Sequence, residues 1–324
     1  MLTRRVTVHL IVAAICLALI PLAHAQFPNK PVRLVVPFQP GMATDVIARL
    51  LADSLTKVWG QQVIVDNRAG GAGVPGTIVG RDASPDGYTI TVGTTATLAI
   101  NPTLIPNIPY DPLRDFEMVN GMFKVSQIIL AHASAPYGTL ADMVNAAKKE
   151  PGKLTWSHPG VGTTAHLAGV LFSYQASINI LTIPYKSSPQ AMIDLIANRI
   201  PLAMDTIVPA LPHIKAGRIK ALAVTALGRV PPLPDVPTVA ESGYPGFETV
   251  GWVGLVVPKK TPPALVAKIS DDVGPALMDP GMQQRIIDGG AIADPRGAKE
   301  WGAFVRAENA KWSGVIKKTN IKLE

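Results

Sequence analysis

The segment Pro37-Phe38-Gln39-Pro40-Gly41-Met42-Ala43-Thr44-Asp45 lies between a predicted strand and a predicted helix, and it decides the fold class. Before it, residues 32–36 form a short apolar run rich in β-branched side chains, which is typical of a buried strand. After it, apolar residues recur at helical spacing from Val46 to Val58, and Gly60 stands where a helix stop is expected. The segment therefore joins the carboxyl end of a strand to the amino end of a helix.

The amino end of this predicted helix is a place where an anion can bind. The first N–H groups of a helix have no intrahelical partner, and the helix dipole adds partial positive charge there. Gly41 allows a ligand to approach the backbone closely. The alternative is an ordinary strand-to-helix turn with nothing bound, and this segment alone leaves both interpretations open.

The first 25 residues have the pattern of a secretory signal. Arg4 and Arg5 precede an apolar run at residues 10–20, and Ala23-His24-Ala25 provides a cleavage site with small residues before Gln26. The apolar run is short for a membrane span. We predict ordinary secretion with cleavage after residue 25, and an uncleaved anchor is the alternative.

The mature chain is predicted to lack cysteine, because Cys16 is the only one in the sequence and lies within the signal. Disulfides and thiolate chemistry are thereby excluded. The 324 residues less the 25 of the signal leave 299, enough for two domains. The formal charge falls from +7 to +5 when Arg4 and Arg5 leave with the signal. Basic runs interleaved with aromatic residues are absent, so nucleic acid is not an expected partner, whereas small anions are.

Strand and helix patterns alternate through the rest of the chain, which favours an α/β fold with largely parallel sheets. Residues 116–119 and 125–132 are predicted as two separate strands. Ligands of such sheets bind beyond the carboxyl ends of the strands. We therefore predict that the polar loops after successive strands converge on one cleft between two domains and hold a small polar ligand. These loops are residues 37–45, 94–97, 157–164, 185–188 and 205–206.

The glycine run Ala69-Gly70-Gly71-Ala72-Gly73 is a candidate dinucleotide fingerprint. It lacks the spacing that places glycines at a strand-to-helix turn with an acidic residue about 20 positions later. No cofactor is therefore predicted, and the run is interpreted as a flexible connection beside the cleft.

Several motifs, in order and over the whole predicted mature chain, resemble the Bug-type solute-binding proteins of tripartite tricarboxylate transporters. Besides residues 37–45, they are Asp86-Gly87-Tyr88, Tyr110-Asp111-Pro112, Gly162-Thr163-Thr164-Ala165-His166-Leu167-Ala168-Gly169, Pro184-Tyr185-Lys186, Pro212-His213-Ile214-Lys215-Ala216-Gly217, Ala221-Leu222-Ala223-Val224-Thr225 and Leu233-Pro234-Asp235-Val236-Pro237-Thr238.

The resemblance implies a periplasmic binding protein type II fold, in which two α/β domains joined by two crossover strands close on a small organic acid. Domain 1 would comprise residues 26–124 plus 254–324, and domain 2 residues 125–253, after a signal peptide at residues 1–25. The implied function is a periplasmic receptor, not an enzyme, that delivers a carboxylate to the membrane subunits of a tripartite tricarboxylate transporter. A monomer is expected, because the two domains must hinge.

The resemblance also implies which residues bind the ligand, mainly through backbone N–H groups, hydroxyls and bridging waters. The first domain would contribute Phe38, Gly41, Met42, Ala43, Thr44, Asp45, Thr94 and Thr95. The second would contribute Ser157, Gly162, Thr163, Thr164, His166, Tyr185, Lys186 and Asp205. Asp45 is interpreted equally well as a residue that only starts a helix.

This sequence departs from the family pattern at three places in the predicted site. Met42 replaces the second glycine of the first loop and adds a soft apolar surface. Ser187-Ser188 stands where glycine is usual, and His158-Pro159 replaces small polar residues. The usual ligand pose is therefore in doubt, and an acid with an apolar or aromatic body is favoured.

Other functions remain open from the sequence. One is a sensor or binding protein for an aromatic or neutral solute, and another is a secreted hydrolase in which Ser157-His158, His166 and Asp205 form a catalytic set. The Gly-x-Ser-x-Gly elbow that would favour a hydrolase is missing.

Histidine and tryptophan residues give two further hypotheses. Four histidines are candidate metal ligands, but no two are four residues apart, so no metal site is predicted. They are His132, His158, His166 and His213. Trp156 and Trp252, near a cleft loop and a predicted crossover strand, are the tryptophans expected to stack on an aromatic ligand.

Overall fold

The computed structural model describes residues 27–319, so the predicted signal peptide lies outside the described residues. Ten strands in this range form one mixed sheet. The strands are β1 (Val32–Val36), β2 (Val63–Asn67), β3 (Thr89–Thr94), β4 (Phe116–His132), β5 (Thr155–His158), β6 (Leu181–Pro184), β7 (Leu202–Thr206), β8 (Ile219–Val224), β9 (Val250–Pro258) and β10 (Ile292–Arg296).

Helices cover the faces of this sheet. They are α1 (Ala43–Trp59), α2 (Val74–Arg81), α3 (Asn101–Leu104), α4 (Pro112–Asp115), α5 (Leu140–Lys149), α6 (Thr164–Ala176), α7 (Ser188–Ile196), α8 (Ile207–Lys215), α9 (Pro263–Met278), α10 (Pro280–Asp288) and α11 (Ala298–Thr319). A 3-10 turn at Gly71–Gly73 precedes α2, and a π-helical turn at Ala96–Ile100 follows β3.

The opening strand, turn and helix fold as predicted. β1 lies between β2 and β3 and runs parallel to both. α1 buries Ile47, Leu51 and Leu55 in the core beneath it. The helix ends at Gly60, whose φ of 61° is a left-handed conformation that glycine adopts readily. The turn between β1 and α1 therefore stands at the carboxyl edge of the sheet.

The expectation of largely parallel sheets is wrong for the centre of the molecule. Parallel pairs link β1, β2 and β3, which we call the first strand group, and also β5, β6 and β7. With β8, the latter form the second strand group. Between the groups, β9 runs antiparallel to β3 and β4, and β4 runs antiparallel to β7 and β8. An apolar run indicates that a strand is buried, but not whether it runs parallel or antiparallel to its neighbours. The sequence pattern therefore does not predict the antiparallel pairing of β4 and β9.

One long strand, β4, replaces the two predicted strands at residues 116–119 and 125–132. The residues between them continue the ladder with β9, and two register shifts, near Asn120 and Met122, absorb the extra residues. From Gln127 onward, the same strand pairs with β7 and β8. β4 therefore runs from the first strand group into the second and connects them.

Each strand group has its own apolar core. Leu34 and Ile47 belong to the cluster around β1 and α1, whereas Trp156 and Phe172 belong to the cluster around β5 and α6. The sequence did not predict β10, because Asp294 and Pro295 interrupt its pattern; it pairs antiparallel with β4. Within residues 27–319, no helix has both the length and the apolar character that crossing a bilayer requires.

Candidate functional site

A cleft lies where loops from the two strand groups meet. It contains an outer cavity of about 730 Å³ and an inner pocket of about 70 Å³, which share Phe38, Met42, Pro159 and Thr163. All five polar loops singled out in the sequence contribute lining residues. The predicted convergence of these loops on one cleft is therefore confirmed.

Ten of the sixteen predicted site residues line this cleft, and six do not. The lining residues are Phe38, Met42, Ala43, Thr44, Thr94, Thr95, Thr163, Thr164, Tyr185 and Lys186. Those absent from the lining are Gly41, Asp45, Ser157, Gly162, His166 and Asp205. Direct contact of any of these residues with a ligand stays a prediction, but every residue of the second set except Ser157 has a hydrogen-bond partner in the protein that explains its position.

The amino end of α1 opens into the inner pocket. Its first two residues, Ala43 and Thr44, line the pocket, and no acceptor among residues 27–319 takes their backbone N–H groups. The residue before the helix, Met42, has no side-chain oxygen to cap them. The Thr44 hydroxyl is buried and also lacks a partner in this range. This end of α1 therefore presents two N–H donors and one hydroxyl to the pocket.

Asp45 holds the turn before α1 in place and does not line the cleft. Its buried carboxylate accepts hydrogen bonds from the Gly41 N–H (2.9 Å) and from Asn67 Nδ2 (2.9 Å), and it pairs with Arg49 (2.8 Å). Burial opposes the charge, but the hydrogen bonds from Arg49, Gly41 and Asn67 outweigh it and lower the pKa of Asp45. Asp45 is thus an ionised anchor for this loop.

The amino end of α6 faces the same inner pocket from the other side. Thr163 precedes the helix, and its hydroxyl accepts from the His166 N–H (3.3 Å) and donates to the Gly160 carbonyl (2.7 Å). The next two residues, Thr164 and Ala165, line the pocket, and their N–H groups find no acceptor in the described part of the chain. Like α1, α6 therefore places at the pocket two backbone N–H donors that have no acceptor in the described residues.

His158 and His166 stack on each other beneath the loop that precedes α6, with ring centroids 4.5 Å apart. Nδ1 of His158 accepts from the Gly160 N–H, and Nδ1 of His166 accepts from the Gly162 N–H, each at 3.3 Å. Burial, and then the charge of His166, lowers the pKa of His158 to about 4; burial also lowers the pKa of His166. Both rings are therefore neutral near pH 7 and act as acceptors that shape the loop.

The hydrolase hypothesis does not match this geometry. The hydroxyl of Ser157 is buried without a hydrogen-bond partner in residues 27–319, so neither His158 nor His166 is placed as its base. Asp205 accepts from Ser188 Oγ (2.8 Å) and from the Thr206 N–H (2.7 Å) instead of orienting a histidine. Complete burial raises the pKa of Asp205 to about 7.

The metal and tryptophan hypotheses also have structural outcomes. Across residues 27–319, no group of three or more His, Cys, Asp or Glu side chains is arranged to hold a metal ion. Trp156 is buried against Phe172 and lines neither cavity. Trp252 borders the inner pocket, but its ring is buried with Trp301, and its Nε1 donates to Glu308.

The chain matches the family described as "Tripartite tricarboxylate transporter family receptor" over residues 47–321. It belongs to this family. It is 36% identical over 292 residues to a "UPF0065 protein in tcbD-tcbE intergenic region" of Pseudomonas sp. (strain P51), covering 90% of this chain and 86% of that protein. It is 32% identical over 305 residues to "Protein BugT" of Bordetella pertussis, covering 94% of each.

Solved structures of the family share the fold. "Periplasmic binding protein BugD" is 35% identical, has a TM-score of 0.86 and covers 91% of this chain and 99% of that chain. "R. palustris Rpa4515 with adipate" is 33% identical, with a TM-score of 0.88 and coverages of 91% and 99%. "MatC (Rpa3494) from Rhodopseudomonas palustris with bound malate" is 30% identical, with a TM-score of 0.84 and coverages of 90% and 100%. These neighbours confirm the predicted type II periplasmic binding fold.

Sequence reasoning missed part of the wall of this receptor cleft. The glycine run, expected only beside the cleft, lines the outer cavity from Ala69 to Pro75, and Ile105 completes that side. The run follows β2, which neighbours β1, so its position after a strand was the signal available. Gln127 and Thr206 line the inner pocket, and no loop motif pointed to Gln127, which lies inside β4.

Proposed function

We propose that this protein is a periplasmic receptor that captures a small organic acid in the cleft and delivers it to the membrane subunits of a tripartite tricarboxylate transporter. Membership of the receptor family supports the transport role. The adipate and malate in the structures of its relatives support a carboxylate as the ligand. In this proposal the protein is exported by a signal cleaved after residue 25, works as a monomer and catalyses no reaction.

The observation that carries the proposal is the pair of helix ends at the inner pocket. α1 and α6 pack with different strand groups, and the first two residues of each helix line the same pocket with N–H groups that have no acceptor within residues 27–319. Helix amino ends favour anions through these donors and through the helix dipole. A carboxylate in the pocket satisfies donors from both helices at once, without a charged side chain.

Capture by closure follows from the same arrangement. The two helix ends can share one carboxylate only when the strand groups lie close together, so the ligand favours the closed form. The strands β4 and β9, which join the groups, are the expected hinge. We propose that the moving bodies are residues 26–124 plus 254–324 and residues 125–253.

Isothermal titration calorimetry and thermal-shift measurements on the mature protein, against mono-, di- and tricarboxylates and neutral solutes, test the proposal. A ligand at about 100 times its dissociation constant should add about 2.7 kcal/mol of stability. Ala43→Glu should abolish binding, because the new carboxylate competes for the donors at the pocket. Ala307→Glu, on the exposed face of α11, is the matched control.

Two results would contradict the proposal. Unchanged affinity in a folded Ala43→Glu protein would show that the acid binds elsewhere. A response to neutral solutes alone, with none to any acid, would show that the cleft does not bind carboxylates.

A further inference from the structure

The outer cavity has walls with few polar side chains. On the α6 side, it is lined by Pro159, which has no N–H group, and by Val161. The donors next to them are already used: the N–H groups of Gly160 and Gly162 bind the two buried histidines, and the Thr163 N–H binds the Gly160 carbonyl. The histidines thus occupy two of the N–H donors of this wall that a polar ligand group could otherwise use.

The opposite wall, residues 69–75, contains only glycine, alanine, valine and proline and therefore has no polar side chain. It includes the amino end of α2, but Pro75 has no N–H group, and the Val74 N–H already binds the Gly71 carbonyl. The Gly73 N–H binds the Gly70 carbonyl at 2.8 Å. This third helix end at the cleft therefore does not reproduce the anion site formed by α1 and α6.

Apolar side chains supply most of the remaining surface, and Gln39, Thr163 and Tyr185 are its uncharged polar residues. Phe38, Met42 and Ile105 line the outer cavity, and methionine adapts its shape to irregular apolar groups. Lys186 is the one cationic residue among the lining residues of this cavity, and its side chain is exposed. An exposed ammonium is well screened by solvent, so it compensates poorly for the lost hydration of a buried second carboxylate.

From these walls we infer that the ligand is an organic acid with one carboxylate and a bulky apolar body, such as an aryl-alkyl or long alkyl carboxylic acid. The carboxylate occupies the inner pocket, and the body fills the outer cavity. Burial of apolar surface there provides binding energy that a short polar diacid cannot recover. This inference rests on the proposed capture of a carboxylate and specifies the substrate class.

Calorimetry with hexanoate, adipate and 3-phenylpropanoate tests the inference. Hexanoate and adipate have the same number of carbons and differ in the second carboxylate. We expect hexanoate to bind at least tenfold more tightly than adipate, and 3-phenylpropanoate at least as tightly as hexanoate. Adipate binding as tightly as hexanoate, or more tightly, overturns the apolar body while it upholds carboxylate capture. Failure of all three acids to bind overturns both.

Two wall variants sharpen the test. Val161→Asn should lower the affinity for 3-phenylpropanoate at least fivefold, whereas Val170→Asn, a valine of similar partial exposure on α6 that lines neither cavity, should not. Lys186→Ala should change the ratio of the hexanoate affinity to the adipate affinity by less than twofold relative to the unmodified protein. A larger rise in that ratio would show that Lys186 binds a second carboxylate and would contradict the inference, as would an unchanged affinity in Val161→Asn.

Discussion

Thr44 has a hydroxyl that is buried at the inner pocket and has no partner in the described protein. A buried polar group without a hydrogen bond is unfavourable, so the hydroxyl fits a donor that is completed by a ligand. We expect Thr44→Val, which keeps the shape of the side chain, to weaken binding of the acid by about 1.5–3 kcal/mol. Stability of the free protein should be unchanged or slightly higher. Calorimetry and urea unfolding measure the two effects.

Thr261 provides the control for this prediction. Its hydroxyl is also buried without a partner in the described range, but it lines neither the outer cavity nor the inner pocket. Thr261→Val should therefore leave affinity unchanged. Equal losses of affinity in the two variants would show that Thr44 acts on the fold and not on the ligand.

The sequence predicts well which residues line the cleft where the position of the residue in the backbone alone decides this. Thr44 and Thr164 follow from their places at the starts of helices, and both line the inner pocket. Contact of His166 with the ligand stays a prediction; in the structure His166 does not line the cleft and accepts a hydrogen bond from the Gly162 N–H. Which way a loop histidine turns depends on close packing with His158, and no local pattern in the sequence records that packing.

At the scale of elements, the caps of α5 and α6 form a natural comparison. Thr139 caps α5, where its hydroxyl accepts from Asp142 N–H, and Thr163 caps α6 at the cleft. Replacing either threonine by alanine should cost about 1 kcal/mol of stability. Only Thr163→Ala should also weaken binding of the acid, because the loop around Gly160 loses its anchor. Urea unfolding and calorimetry on both variants measure this.

The comparison separates helix stability from site geometry. If Thr139→Ala weakens binding as much as Thr163→Ala does, the affinity depends on general stability and not on the α6 end. If Thr163→Ala loses stability alone, the end of α6 does not hold the ligand.

The sequence predicts a helix or strand correctly where its apolar residues follow a single spacing and a clear boundary residue ends the pattern. The predicted helix stop at Gly60 is confirmed. β4 was predicted as two strands because Asn120 and Gly121 resemble a break, whereas pairing with β9 carries the strand across them. β10 was missed for the related reason that its strand character comes from β4 and not from its own residues.

At the scale of the molecule, the buried side chains of His158 and Asp205 should have opposite effects on the stability of the folded protein as the pH falls. The unfolded chain protonates His158 near pH 6.5 and the folded chain only near pH 4, so this residue makes stability fall as the pH falls between these values. Asp205 acts oppositely, since its pKa is about 7 when folded and 3.8 in the reference state. We expect Asp205→Asn to lose about 1 kcal/mol more than the unmodified protein per pH unit from pH 6.5 to 4.5.

Urea unfolding at several pH values measures this slope. His158→Gln should have the opposite effect and flatten the loss of stability in acid. Parallel stability profiles for Asp205→Asn and the unmodified protein would show that Asp205 is ionised in the folded state.

Closure of the cleft is the property that the sequence shows least, because it depends on contacts between residues far apart in the chain. A Cβ on Gly162 would lie 2.9 Å from the Ala72 Cβ and 3.1 Å from Asn101 Oδ1, both across the cleft. Gly162→Ala should therefore hold the strand groups apart, lower the affinity for the acid and enlarge the ligand-bound radius of gyration measured by small-angle X-ray scattering.

Backbone strain must be separated from this clash, because Gly162 has a φ of +79°, at which alanine is unfavourable. Gly152 has a φ of +76° on the same side of the cleft, and a Cβ there meets only Asn179, at 3.6 Å. Gly152→Ala should therefore share the loss of stability, about 1 kcal/mol, but not the loss of affinity. If both variants bind the acid equally well, the contact across the cleft at Gly162 does not limit closure, and ligand binding must tolerate a more open arrangement of the two strand groups.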